Sequence, residues 1–66
     1  MTTFLIVVAG TPSEEATAIA VANGCAGFYQ GVPPILQAQA EAESWTLPCI
    51  VTEDENGVVV SWAPVA

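Results

Sequence analysis

The sequence contains no lysine, arginine or histidine, although seven acidic residues give it a formal net charge of −7. If lysine and arginine fill roughly one position in eight of an average protein, their absence from 66 residues has a chance probability on the order of 10⁻⁴. No salt bridge between side chains can form, so every side-chain charge repels every other. We expect a basic macromolecular partner, and no direct contact with nucleic acid or a membrane, because phosphate binding requires lysine or arginine.

The missing residue types also remove most catalytic chemistry. Without histidine, lysine and arginine the chain has no ordinary general base, no Schiff-base amine and no phosphoryl clamp. Neither Cys25 nor Cys49 has a candidate base to activate it. A carboxylate pair could act as in glycosidases, but a chain this short has little room for the enclosed cleft such a pair needs. We expect no enzymatic activity and no cofactor.

Signals for secretion are also missing. The apolar segment at residues 4–9 lacks a basic flank and is far too short to span a membrane. We therefore expect a cytoplasmic protein in which Cys25 and Cys49 are reduced core residues, as free cysteines usually are. A disulfide between them is the alternative interpretation.

Apolar residues make up 53% of the sequence, which is enough for one core and argues against disorder. A chain of this size hides only about 60% of the surface that it exposes when unfolded. We therefore expect one small domain over residues 1–66, with marginal stability.

The first half of the chain predicts a strand followed by a helix. Residues 4–9 form a β-prone run typical of a strand buried on both faces. A helix start follows, with an N-cap, a proline at the first helical position and a glutamate at the third: Thr11, Pro12 and Glu14. The helix should end near Asn23, with Gly24 just beyond it. Its buried stripe would be Ala16, Ile19, Ala20 and Asn23.

Residues 25–34 predict an irregular connection anchored by Phe28 and Tyr29. A second helix is predicted from near Pro34 to residues 43–44. The spacing of four residues gives this helix a buried edge: Ile35, Ala38, Ala42 and Trp45.

The last third predicts a β-hairpin from residues 47–52 and 58–63. Pro48 favours either an edge position or the first residues of a strand. The turn at residues 54–57 is either a type I′ turn on its Asn-Gly pair or a type I turn opened by its aspartate. The predicted fold is α+β, in the order β-α-α-β-β, with a three-stranded, mainly antiparallel sheet covered by two helices. The largest contributors to its core would be Trp45 and Trp62.

The seven carboxylates differ in whether local structure explains them. Glu14 and Glu15 lie in the first turn of the predicted helix, where the helix dipole favours negative charge. Glu41 and Glu43 lie near the end of the second helix, where the dipole disfavours each by about 0.3–1 kcal/mol. Three consecutive acids repel one another at the hairpin tip, and turn preference explains only the middle one. The acids most indicative of partner binding are therefore Glu41, Glu43, Glu53, Asp54 and Glu55, with Glu14 and Glu15 as weaker candidates.

These acids predict no metal site. Residues 53–57 supply clustered oxygens, but they lack the alternating acidic pattern and the distal glutamate of a calcium loop. The hairpin turn already accounts for the Asn-Gly pair, so we expect no dedicated cation.

An uncompensated negative surface can imitate the phosphates of DNA. Duplex DNA carries one charge per ~1.7 Å, so seven carboxylates match roughly 12 Å, or three to four base pairs. Such a surface could block one short basic patch. Glu41 and Glu43 lie about 200° apart around an ideal helix, so either the helix frays after Glu41 or one of them is idle.

The chain resembles small phage-encoded anti-CRISPR proteins in its length, its start Met1-Thr2-Thr3-Phe4, its lack of basic residues and its acid clusters. It is most similar to inhibitors of the type I-C system that are proposed to act as DNA mimics. The likeness extends over the whole chain but includes no signature motif, so it assigns no residue roles. It implies a protein encoded by a phage or mobile element that acts in the bacterial host, and we expect this protein to be a monomer. Its target would be the basic duplex-recognition surface of the crRNA-guided surveillance complex, where a short duplex motif is read before base pairing.

Two other interpretations remain. The chain could be a small structural or assembly module of phage origin, whose sheet edge pairs with itself or with another chain. The acids could also serve solubility alone.

Overall fold

The computed structural model describes residues 1–65. Strand β1 (Thr2–Val7) is followed by helix α1 (Ser13–Ala22) and strand β2 (Gly27–Gln30). A single 3-10 turn at Pro34–Leu36 continues into the short helix α2 (Gln37–Ala42). Strands β3 (Cys49–Glu53) and β4 (Val59–Pro64) complete the order. The last residue of the predicted domain, Ala66, lies outside the described residues.

The strands form one four-stranded sheet in the order β2-β1-β3-β4. Strand β1 pairs parallel with β2 and antiparallel with β3, and β3 pairs antiparallel with β4. The α+β class is confirmed, but the sheet is mixed and has one strand more than predicted. The additional strand is Gly27–Gln30, which the sequence indicated as a connection. Four residues beside two glycines show too little periodicity to indicate a strand, and the parallel pairing depends on the α1 crossover.

Strand β1 occupies a central position, and successive residues point to opposite faces of the sheet. On the face covered by α1, which we call the helix face, Leu5 and Val7 pack against Ala16 and Ala20. Ala16, Ile19 and Ala20 of the predicted stripe pack on the strands, whereas Asn23 is exposed, so the stripe is confirmed only in part. On the other face, Ile6 belongs to a second cluster with Leu36, Cys49, Val51 and Val59. We call this second side the tryptophan face, because Trp45 and Trp62 pack on it.

The start of helix α1 differs from the prediction, whereas its end agrees with it. The N-cap is Pro12, and the Thr11 hydroxyl donates to the Val8 carbonyl oxygen at 2.7 Å, so the predicted N-cap at Thr11 is wrong. The C-terminal end is confirmed, because Gly24 follows the cap residue with a φ of 68°. The Cys25 N–H donates to the Ala20 carbonyl at 2.8 Å, which is the long hydrogen bond of a Schellman motif.

The second helix is shorter than predicted and turns a different side inward. Ile35 is 89% exposed, and Ala38 and Ala42 are also exposed, so only Trp45 of the predicted buried edge packs on the core. Leu36 is the buried residue instead. The 3-10 turn has three residues per turn, so the α-helical spacing does not extend back to Ile35.

Pro48 immediately precedes β3, which lies inside the sheet between β1 and β4. The prediction of a position at the start of a strand is therefore correct, and the edge alternative is wrong.

Both cysteines are free, and they belong to clusters on opposite faces of the sheet. Burial raises the pKa of both thiols, Cys25 and Cys49, which makes them poor nucleophiles.

Candidate partner-binding surface

The sheet topology separates the seven acids into two groups. Glu53 pairs with Thr2, so the β3–β4 hairpin lies at the end of the sheet where β1 begins. Helix α1 follows the opposite end of β1, and Glu14 and Glu15 lie in its first turn. The six residues of β1 cover roughly 20 Å at about 3.3 Å per residue. Glu14 and Glu15 therefore lie about the length of the sheet away from the hairpin acids.

The end of α2 lies beside the hairpin. The Gln39 side-chain amide donates to the Val59 carbonyl at 2.9 Å, and Val59 is the cross-strand partner of Glu53. The same amide nitrogen donates to a carboxylate oxygen of Glu43 at 3.0 Å. The five acids that local structure explained least therefore gather at one end of the sheet. We call this the acidic end: Glu41, Glu43, Glu53, Asp54 and Glu55.

Glu53 is the exception within the acidic end, because it is only 9% exposed. The Tyr29 hydroxyl donates to its Oε2 at 3.0 Å, and the Tyr29 ring packs on Phe4 with centroids 5.4 Å apart. Its carboxylate therefore stabilises the fold and is not presented to a partner, contrary to prediction. The alternation of β3 could have shown this, since Glu53 lies two residues after the buried Val51.

Asp54 holds the hairpin turn together. Its Oδ1 accepts the backbone N–H groups of Asn56 at 2.8 Å and Val58 at 3.0 Å. The Gly57 N–H donates to the Asp54 carbonyl at 3.0 Å, and Gly57 has a φ of 78°. Asn56 does not have the positive φ that a type I′ turn requires, so the type I alternative is correct.

Glu43 is exposed, but neutral donors fix its position. Its Oε1 accepts the Trp45 indole N–H at 3.1 Å, and its Oε2 accepts the Gln39 amide. The prediction that nothing local compensates Glu43 is therefore wrong, because these hydrogen bonds offset the unfavourable helix-end position. Neither Gln39 nor Trp45 was predicted as a partner of Glu43, although Gln39 lies four residues earlier, at ordinary helical contact spacing.

Glu41 and Glu55 are exposed and accept no side-chain hydrogen bond from the described residues. With Glu43 and the half-buried Asp54 they bring four carboxylates to the surface of the acidic end. Four charges match about 7 Å of duplex, or roughly two base pairs, at the ~1.7 Å charge spacing of DNA. The surface that one partner can contact is therefore smaller than the total charge indicated.

We also searched the described part of the chain for cavities, metal-binding clusters and membrane-spanning helices. Among residues 1–65 there is no enclosed cavity and no cluster of acids and cysteines that could hold a metal ion. No helix within these residues is long and apolar enough to cross a membrane. No protein family, no curated protein and no solved structure matches this chain.

Tyr29 should make the fold sensitive to alkali. Burial raises its pKa above the ordinary value of 10.0, and the hydrogen bond to Glu53 and the Glu53 charge raise it further. Because the folded pKa exceeds the unfolded one, this stabilisation is complete below pH 10 and is lost as the pH rises through the folded pKa. We expect the Tyr29 contribution to the unfolding free energy to be lost above about pH 10, whereas that of the two thiols begins to fall above about pH 9.

The chain has one tyrosine, so the ultraviolet absorbance of the phenolate follows this group directly. The Tyr29→Phe variant should lose about 1–3 kcal/mol at neutral pH, because the buried Glu53 carboxylate loses its donor. The variant should also show a smaller alkaline loss, with only the two thiols still contributing. Equal alkaline losses in both proteins would show that Tyr29 is not the group responsible.

Proposed function

We propose that this chain is a non-enzymatic anti-CRISPR inhibitor that binds the basic duplex-recognition surface of a type I surveillance complex and blocks target DNA recognition. The supporting observation is the acidic end, where the carboxylates of Glu41, Glu43, Asp54 and Glu55 reach the surface in a chain with no basic side chain. The resemblance to type I-C inhibitors selects the partner. The protein acts as a monomer in the bacterial cytoplasm and is encoded by a phage or mobile element.

The size of the acidic end is compatible with this mechanism. Such effectors first contact a short duplex motif through protein side chains, and only then begin base pairing. A surface that imitates about two base pairs cannot replace a long duplex, but it competes for that first contact. Like charges spread over the rest of the molecule add a long-range attraction that accelerates association at low salt.

One observation favours the assembly-module alternative. Strand β4 is an edge strand, and the Val65 N–H donates to the Pro48 carbonyl at 3.0 Å. Backbone groups point alternately towards and away from a neighbouring strand. Because the Val65 N–H points towards β3, the backbone groups of Pro64 and Trp62 point away from it. The free edge therefore offers the N–H and C=O of Trp62, while Pro64 has no N–H to offer. Self-pairing there would form an oligomer that salt does not dissociate, which light scattering during size-exclusion chromatography would reveal.

The decisive experiment is binding of purified type I-C surveillance complex to this protein, with and without target duplex. We expect binding that the duplex competes away and that weakens steeply with added salt. Binding without competition would contradict DNA mimicry and indicate another inhibited step, such as nuclease recruitment. No binding at any salt concentration would overturn the assignment of the partner.

A further inference from the structure

The two tryptophans of the chain lie together on the tryptophan face, beside the acidic end. The ring centroids of Trp45 and Trp62 are 6.4 Å apart, and the ring planes are inclined by 36°. Both were predicted to be core residues, but both side chains are only half-buried. Each packs on the buried cluster with one part of its surface. Because β4 is an edge strand, no further strand covers the side of Trp62 that faces away from β3.

The carboxylate of Glu43 lies at the edge of this pair. It accepts the Trp45 indole N–H at 3.1 Å and the Gln39 amide at 3.0 Å. Both donors are neutral, so they fix the orientation of the carboxylate without cancelling its charge. A carboxylate has about four acceptor positions, so these two hydrogen bonds leave capacity for another donor.

Indole rings beside an oriented carboxylate are suited to binding a cation. The face of a tryptophan attracts a cation within about 6 Å, and the attraction is worth about 0.5–2 kcal/mol. In most proteins a nearby arginine or lysine of the same chain could occupy such a place. This chain has neither residue, so no arginine or lysine side chain of its own can occupy the place.

We propose that Trp45, Trp62 and Glu43 form a recognition site for an arginine side chain of the partner. The proposal rests on the proposed function in one respect, namely that the partner surface is basic. A guanidinium group is planar, so it stacks on an indole face while its N–H groups donate to a carboxylate. A lysine ammonium provides the charge without the flat surface or the forked donors, so the site discriminates between the two.

Intrinsic fluorescence tests this site without the surveillance complex, because both fluorescent tryptophans belong to it. The probe is a short peptide of alternating arginine and serine, titrated at about 0.1 M ionic strength, where the Debye length is about 10 Å. Matched peptides carry lysine, or the uncharged arginine analogue citrulline. We expect a saturable fluorescence change with the arginine peptide, binding several-fold weaker with lysine, and no saturable change with citrulline. Equal binding of the arginine and citrulline peptides would overturn the proposal.

Variants locate the binding on the protein. Glu43→Gln keeps the size and the acceptor oxygen but removes the charge, and it should weaken arginine-peptide binding by about tenfold. Glu15→Gln removes one charge at the other end of the sheet and should change binding less than about twofold, as distant charges are largely screened. Equal effects of the two variants would show general charge attraction and overturn the site. Trp62→Leu should also weaken binding, and circular dichroism establishes that it is folded.

The same variants separate this proposal from the proposed function. If the surveillance complex binds the original protein and Glu43→Gln with equal affinity, the arginine site is wrong while the inhibitor assignment stands. If the complex does not bind but the arginine peptide does so through Glu43, the site stands and the assigned partner is wrong.

Discussion

Replacing Glu53 with lysine is expected to destabilise the protein by about 2–4 kcal/mol, whereas the same replacement at Glu55 leaves it folded. At position 53 the Tyr29 hydroxyl loses its acceptor, and a long cationic side chain enters a site that is 9% exposed. Attraction to the neighbouring acids offsets only part of this cost. A chain of 66 residues has a total stability of roughly 3–10 kcal/mol, so the variant loses a large fraction of it.

Urea unfolding followed by circular dichroism measures both variants under the same conditions. Glu55 is exposed at the hairpin turn, so its replacement should change the unfolding free energy by less than about 0.5 kcal/mol. The pair is matched because the charge change is identical and only burial differs. Equal stability of the two variants would mean that Glu53 lies at the surface in solution.

Reversing the charge at Glu41 and Glu55 together is expected to weaken duplex-competitive binding to the surveillance complex about a hundredfold. Both side chains are exposed and serve no hydrogen bond in the described fold, so the fold should tolerate the change. Charge reversal replaces an attraction to the basic partner with a repulsion, so each position should cost about 1.4 kcal/mol, which for the two together is about a hundredfold in affinity. Titration of labelled complex, with and without duplex, provides the measurement.

The matched control reverses Glu14 and Glu15, which lie at the other end of the sheet. It changes net charge by the same amount, so it separates a local surface from general attraction. We expect this control to slow association somewhat while keeping most of the affinity. If both double variants lose the same affinity, the acidic end is not the contact surface and only total charge matters.

Three of the seven carboxylates accept hydrogen bonds within the fold. Glu53, Asp54 and Glu43 are held by neutral donors, namely a tyrosine hydroxyl, backbone N–H groups, an amide and an indole. These contacts replace the salt bridges that the chain cannot form. They stabilise each carboxylate without neutralising it, so the chain keeps its full negative charge.

The sequence predicted the features that depend on composition or local spacing. The missing basic residues determine the uncompensated charge, whatever the fold. The α1 stripe with Ala16 and Ala20, the Gly24 cap and a hairpin turn at residues 54–57 follow from contacts within a few residues, so local patterns were enough. The buried Glu53 could also have been found, because it continues the alternation of β3.

Only the tertiary structure decided which distant residues meet. Gly27–Gln30 becomes a strand because the α1 crossover returns it alongside β1, and no local pattern encodes that pairing. Tyr29 reaches Glu53 across 24 positions of sequence, and Gln39 reaches Val59 across 20. These contacts determine which acids support the fold and which remain exposed. Sequence spacing predicts contacts between residues that are close along the chain. The acidic end instead forms because helix α2 packs beside the β3–β4 hairpin, which lies farther along the chain.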